Sequence, residues 1–209
     1  AIIRLGFRGY GTGNIVIDEQ FISNINGALN AGLEVGVYFF SQAVTQDEAV
    51  REAETVLSMI ENYQITYPVV YDLEIIDDNG SRTRDLTSET MTANAAAFCS
   101  VIEDAGYDAV YYATLRTALL KYDMAQLTDY DLWYVQSEEE PAIPYDFIMW
   151  QYTSEGEVDG IEGNVSLNLY FERKTADGNT NGTGRGDGTE TENETETVTE
   201  SETETSGEE

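Results

Sequence analysis

Apolar and polar positions alternate along this chain in a rhythm that sorts most of it into strands and helices. Ala1 to Phe7 opens as a strand-like run, and Val35-Gly36-Val37-Tyr38-Phe39-Phe40-Ser41, Tyr67-Pro68-Val69-Val70-Tyr71-Asp72-Leu73-Glu74 and Asp108-Ala109-Val110-Tyr111-Tyr112-Ala113-Thr114 are three further short runs. Each is β-branched and aromatic, and apolar on both faces, as in strands covered by helices on a parallel sheet. Between them the apolar spacing changes to that of a helix. Phe21, Ile22, Ile25, Ala28 and Leu29 define one from about Asp18 to Leu33. Ala49, Ala53, Val56, Leu57 and Ile60 define a second, opened by a Thr45-x-x-Glu48 capping box, and Ala93, Ala97, Phe98, Val101 and Ile102 a third, from Ser88 to Gly106. A shorter helical piece is predicted over about 118–127. After it the rhythm changes again. Leu132 to Gln136, Phe147 to Tyr152 and Val165 to Tyr170 are strands joined by segments too short for helices. Seven strands result, strand–helix units first and bare strands last. The pattern predicts an α/β fold, a TIM-like barrel with one strand missing at the front.

The third run carries the chemistry. Side chains alternate along a strand, so Asp72 and Glu74 project to the same side, at the carboxyl end where such folds build their sites. An isolated Asp-x-Glu is equally an acid pair on a loop edge, bound to water or to a helix N-terminus. The Gly-rich stretch Arg8-Gly9-Tyr10-Gly11-Thr12-Gly13-Asn14 matches neither phosphate-binding fingerprint and reads as a flexible turn.

Composition narrows the chemistry further. The 209 residues contain no histidine, which excludes Ser-His-Asp and Cys-His catalysis and His-ligated metal sites. Acid–base work must then fall to carboxylates and tyrosines. One cysteine, Cys99, in an apolar helical stretch, permits no internal disulfide and reads as core. The net charge is −30, and residues 175–209 supply −10 of it, from two Asp and nine Glu against Arg185. Such charge repels nucleic acid and anionic membranes, and no apolar run approaches the ~20 residues needed to span a bilayer. Neither a metal nor a cofactor is called for. Residues 175–209 are rich in Thr, Glu, Gly and Asn, with Val198 the only sizeable apolar residue. They are expected to form a disordered acidic tail or linker after a folded unit of residues 1–174. The opening residues lie inside a strand-like run with neither an initiator Met nor a signal peptide before them, as expected of a chain cut at its N-terminus.

Several stretches together resemble the glycoside hydrolase family 25 lysozymes: Ile2 to Gly11, Val35 to Ala43, Pro68 to Glu74, Met149-Trp150-Gln151-Tyr152-Thr153-Ser154 and Val158-Asp159-Gly160-Ile161. The resemblance runs in order from residue 1 to about 172. It implies a (β/α)5(β)3 barrel and an N-acetylmuramidase that cleaves the β-1,4 bond between N-acetylmuramic acid and N-acetylglucosamine in bacterial peptidoglycan. It also implies a secreted or wall-associated protein, monomeric when complete. The family's Asp-x-Glu falls on Asp72 and Glu74. Glu74 would be the general acid, and Asp72 would either assist the substrate acetamido group or attack directly. Tyr38, Phe40, Tyr112, Trp133 and Gln151 are candidates for the sugar subsites, although aromatics at such positions also fill barrels. Three departures stand against the pattern. The family's first strand and its Asp are absent, Ser166 stands where the last strand usually has Asp, and Thr114 stands where Asn is common. They leave a catalytically weakened glycan-binding module as the alternative.

Overall fold

A computed structural model of the chain describes residues 1–137 and 140–171. The expected acidic tail lies outside the described residues. All seven apolar runs form strands: β1 (Ile2–Arg8), β3 (Gly36–Ser41), β4 (Val69–Leu73), β5 (Ala109–Thr114), β6 (Asp131–Val135), β7 (Met149–Gly156) and β8 (Val165–Tyr170). An eighth, β2 (Ile15–Ile17), was not expected. The Gly-rich stretch read as a flexible turn instead closes a β1–β2 hairpin, through Gly9 N–H to Asn14 O and Gly13 N–H to Gly9 O, both 2.8 Å. Gly13 takes φ +73°, a conformation that calls for glycine, and a Cβ there would also displace the Arg82 guanidinium.

The strands form one sheet in the order β2-β1-β3-β4-β5-β6-β7-β8. Strands β1 and β3 to β7 run parallel, whereas β2 and β8 pair antiparallel at the two ends. The sheet is therefore open, with β2 and β8 as its edges, rather than closed on itself. It is also strongly curled. The ring of Tyr170 on β8 lies 4.9 Å from that of Tyr67, just ahead of β4, although three strands separate β8 from β4 in the order.

Helices cover the convex face. These are α1 (Phe21–Asn30), α2 (Gln46–Ile60), α3 (Ser88–Asp104) and α4 (Leu115–Leu120). Half of the Thr45 box forms as predicted, the Thr45 hydroxyl accepting from Glu48 N–H, whereas the Glu48 carboxylate reaches one residue past the cap and accepts from Val44 N–H at 2.9 Å. Asp18 precedes α1 rather than joining it, its carboxylate taking Gln20 N–H at 2.8 Å. The helix predicted over 118–127 is broken. Asp123 N–H bonds the Thr92 hydroxyl of α3 at 2.9 Å instead of a helix carbonyl, and a single 3-10 turn, Met124–Gln126, follows.

Two apolar layers result. The larger lies between sheet and helices and includes Leu5, Phe21, Val37, Phe39, Val56, Tyr71, Phe98, Tyr111 and Tyr134, with Cys99 buried in it as expected. The smaller lies on the concave face and has, among the described residues, only five buried members, Val70, Val110, Trp133, Ile148 and Met149. A buried ion pair ties α2 to the sheet within the larger layer. Arg8 Nε meets Glu52 at 2.5 Å, and the Ser41 hydroxyl donates to the other Glu52 oxygen at 2.6 Å.

Candidate active site

The concave face assembles most of the residues singled out above. Residues paired in register across strands point to the same side of a sheet. Tyr38 pairs with Val70 and Phe40 with Asp72, while Val70 pairs with Val110. Tyr112 pairs with Trp133, Val135 with Gln151, and Gln151 with Asn168. Tyr38, Phe40, Asp72, Tyr112, Trp133 and Gln151 thus share one face. Glu74 follows Asp72 by two residues, just past the end of β4. Ser166 lies two residues before Asn168 on β8 and is exposed.

Asp72 is the unusual member. It is 7 % exposed, and its Oδ1 has no hydrogen-bond partner among the described residues. Burial, and then the charge of Glu74, push its carboxyl well above the usual range. Glu74 is solvent-exposed as a residue, yet its carboxyl sits close enough to protein for partial desolvation to raise it too. Both carboxyls therefore hold protons at a pH where isolated carboxyls have lost them, Glu74 through partial burial and Asp72 through burial and then the charge of Glu74. Burial likewise raises the Tyr38 and Tyr112 hydroxyls, and both carboxyls of the pair add to the effect. The four groups therefore lie within electrostatic reach of one another.

The aromatics divide by exposure. Tyr38, Phe40 and Tyr112 are half-buried, as is Gln151. Trp133 is 7 % exposed, packs edge-on against Tyr112 with centroids 5.4 Å apart, and donates its indole N–H to Asn168 Oδ1 at 2.9 Å. It backs Tyr112 more than it presents a free ring.

Two residues of the site escape the sequence reading. Phe7 pairs with Phe40 on the concave face, a register no strand reveals alone. Gln42 is fully buried and bonds the backbone of Ser41 and Glu74 and the side chain of Thr83. The signal for Gln42 was a long polar residue closing an apolar strand. Among the described residues no cluster of acidic or Cys side chains could hold a metal. A shallow hollow in the β7–β8 loop, lined by Val158, Asp159, Gly160 and Ile161 among others, shares no residue with the acid pair.

A curled, mostly parallel sheet with paired acids at the carboxyl end of a central strand defines an α/β half-barrel with a two-carboxylate site, the arrangement glycosidases use. Residues 10–161 match the profile of glycosyl hydrolases family 25, and the chain belongs to that family. It is 24% identical over 157 residues to the autolytic lysozyme of Clostridium acetobutylicum, a match covering 74% of this chain and 45% of that protein. Among solved structures it is similar to the modular autolysin LytC of Streptococcus pneumoniae, with a TM-score of 0.70 at 22% identity over 81% of this chain and 40% of that one. The bacterial lysozyme of Streptomyces coelicolor gives a TM-score of 0.65 at 21% identity, over 81% of this chain and 79% of that one. The chain thus spans less than half the length of the autolytic lysozyme and of LytC.

Proposed function

We propose that the protein is a peptidoglycan hydrolase, an N-acetylmuramidase cleaving the β-1,4 bond between N-acetylmuramic acid and N-acetylglucosamine. The observation that carries this reading is the acid pair: Asp72 buried and without a partner on the concave face, Glu74 beside it at the open strand end, both carboxyls raised. Family membership and a related autolysin described in complex with a synthetic peptidoglycan ligand support the substrate class.

Glu74 is the general acid. Its raised carboxyl keeps a proton to give to the leaving glycosidic oxygen, and its exposure leaves room for the sugar chain. Asp72 assists the substrate's 2-acetamido group. An acetamido N–H donated to Asp72 supplies the partner that Oδ1 lacks and favours the ionised form of that carboxyl. The proton the pair retains then belongs on Glu74, where protonation of the leaving group needs it. The acetamido carbonyl oxygen, held by that contact, attacks the anomeric carbon as the glycosidic bond breaks, and water opens the resulting oxazolinium ring with Glu74 accepting its proton. Tyr38, Phe40, Tyr112 and Gln151 line the sugar subsites, with Trp133 supporting Tyr112.

We read the open curl as part of a (β/α)5(β)3 barrel, whose gap lies between the β2 and β8 edges. In this reading residues 1–174 form the catalytic unit, residues 175–209 act as a linker, and the protein works outside the cell or at the wall. The binding-module alternative rests on Ser166, and a binder gains nothing from a pair of raised acids.

The test is release of reducing ends from purified peptidoglycan, with mass spectrometry of the fragments. New ends on N-acetylmuramic acid are expected. Ends on N-acetylglucosamine, or binding without cleavage, would overturn the assignment.

A further inference from the structure

We infer that Gln42 is a positioning residue that sets the direction of the Glu74 side chain; this rests on Glu74 being the general acid. The ladder between β3 and β4 ends at the pair Ser41 and Leu73. Gln42 and Glu74 each lie one residue further on, where the two backbones no longer pair. There the side chain of Gln42 takes over. Its Nε2 donates to Glu74 O at 2.8 Å and to Ser41 O at 2.9 Å, and its Oε1 accepts from the Thr83 hydroxyl at 2.9 Å. The amide thus uses both N–H groups and its carbonyl in a site with no exposure to water.

The surroundings are equally fixed. Asn94 of α3 donates to Ala43 O at 2.9 Å, and Ser41 Oγ accepts from Ala43 N–H at 3.2 Å, so the backbone on either side of Gln42 is pinned. Thr83 is fully buried and within 3.2 Å of the Ser81 hydroxyl. One buried amide therefore joins the end of β3, the carbonyl of the acid residue and the loop that follows it. A side chain exposed at a strand end can sample several directions unless its backbone is held. The Gln42 bond holds the Glu74 peptide, and with it the direction from which the carboxyl leaves the chain. Carboxyl placement matters because a misplacement of about 1 Å can cost about a hundredfold in rate.

Gln42→Met keeps length and volume while removing all three polar contacts, and Thr83→Val removes the far anchor alone. Both are compared with wild type and Glu74→Gln for kcat and KM on soluble glycan fragments, for the alkaline limb of the rate profile, and by NMR titration of the Glu74 carboxyl. We expect Gln42→Met to lower kcat about 10–100-fold with little change in KM, to move the alkaline limb, and to return the Glu74 titration toward the ordinary range. Thr83→Val should do the same more weakly. Unchanged kcat and an unchanged Glu74 titration in folded Gln42→Met, with Glu74→Gln inactive, would overturn the inference and leave the functional reading standing. If Glu74→Gln turns over normally, the functional reading falls and the inference falls with it. Should Gln42→Met fold poorly, Thr83→Val decides by the same two readouts.

Discussion

Replacing Asp72 with asparagine should stabilise the protein while removing its activity, and the size of the gain should depend on pH. Asp72 is 7 % exposed with an unpartnered Oδ1, and burial followed by the charge of Glu74 raises its carboxyl well above the ordinary aspartate range. The sign follows from linkage. Between the ordinary carboxyl value and the raised one, the native state keeps a proton that the unfolded chain has released. Stability is then full at low pH and falls as pH rises through that window, by ~1.4 kcal/mol for each unit of separation. Asparagine has the same shape and cannot ionise, so it escapes that loss. The amide still buries a polar atom without a partner, which limits the gain to the charged part of the penalty. For a chain of this size each kcal/mol gained raises the melting temperature by ~2–4 °C. Urea denaturation of both proteins at pH 4, 5.5, 7 and 8 measures the difference directly. It should be near zero at pH 4 and grow upward. The slope remaining in the variant includes that of Glu74 and of Glu52, which burial raises to about 7 despite its bonds to Ser41 and Arg8. A variant no more stable than wild type at pH 7, or a difference that does not change with pH, would show that Asp72 carries no buried ionisation cost.

Three further outcomes can be measured with the same material. Glu74→Gln should lower turnover of cell-wall glycan by roughly 10²–10⁴-fold with its circular dichroism unchanged, because the amide has no proton of useful acidity; near-normal turnover would remove Glu74 from the acid role. Arg8→Met leaves Glu52 buried without its ion-pair partner and should destabilise by about 3–5 kcal/mol in urea, with much of the loss recovered in the double variant Arg8→Met/Glu52→Gln. If the double variant is as unstable as the single one, the cost lies in lost packing and not in the stranded carboxylate. Trp133→Phe removes the 2.9 Å bond to Asn168 and should lower stability by about 1 kcal/mol while changing KM little, since the indole is mostly covered; a large rise in KM with unchanged stability would make Trp133 a direct sugar contact.

Strand existence was legible because each run is short, apolar on both faces and β-branched. The Asp-x-Glu pair was legible because alternation alone puts both acids on one side. Register was not. That Phe7 stands beside Phe40, and Tyr112 beside Trp133, follows from how neighbouring strands align, and no single run contains that information. Strand β2 was missed because three residues, Ile15–Ile17, are too few to show a period, and the glycines before them suit a turn of any mobility. The 118–127 segment carries helical spacing, but a tertiary bond from Asp123 to Thr92 overrides it. Gln42 was hidden for a related reason: two of its three partners are 32 and 41 residues away, and two of its three bonds go to backbone atoms that have no sequence signature.

The two layers of the fold explain why the acid pair is tolerated at all. A raised, unpartnered carboxyl such as Asp72 subtracts from stability, and natural domains have only about 5–15 kcal/mol to lose. On the convex side, four helices seal a large apolar layer in which Phe21, Phe39, Phe98 and Ile102 are fully buried. That layer meets the sheet through the odd-numbered side chains of β3 and β4, Val37, Phe39, Val69, Tyr71 and Leu73. The even-numbered side chains of the same strands, Tyr38, Phe40, Val70 and Asp72, turn the other way onto a face with only five buried apolar members. Period-2 alternation thus divides each strand between two tasks. Substitutions at odd positions of β3 and β4 act on the layer that holds the fold, whereas those at even positions act on the site. Val37→Ala should therefore cost more stability than Tyr38→Phe and leave KM nearly unchanged, with Tyr38→Phe doing the reverse. Were both to lower stability equally with no effect on KM, the concave face would be core and the site would have to lie elsewhere.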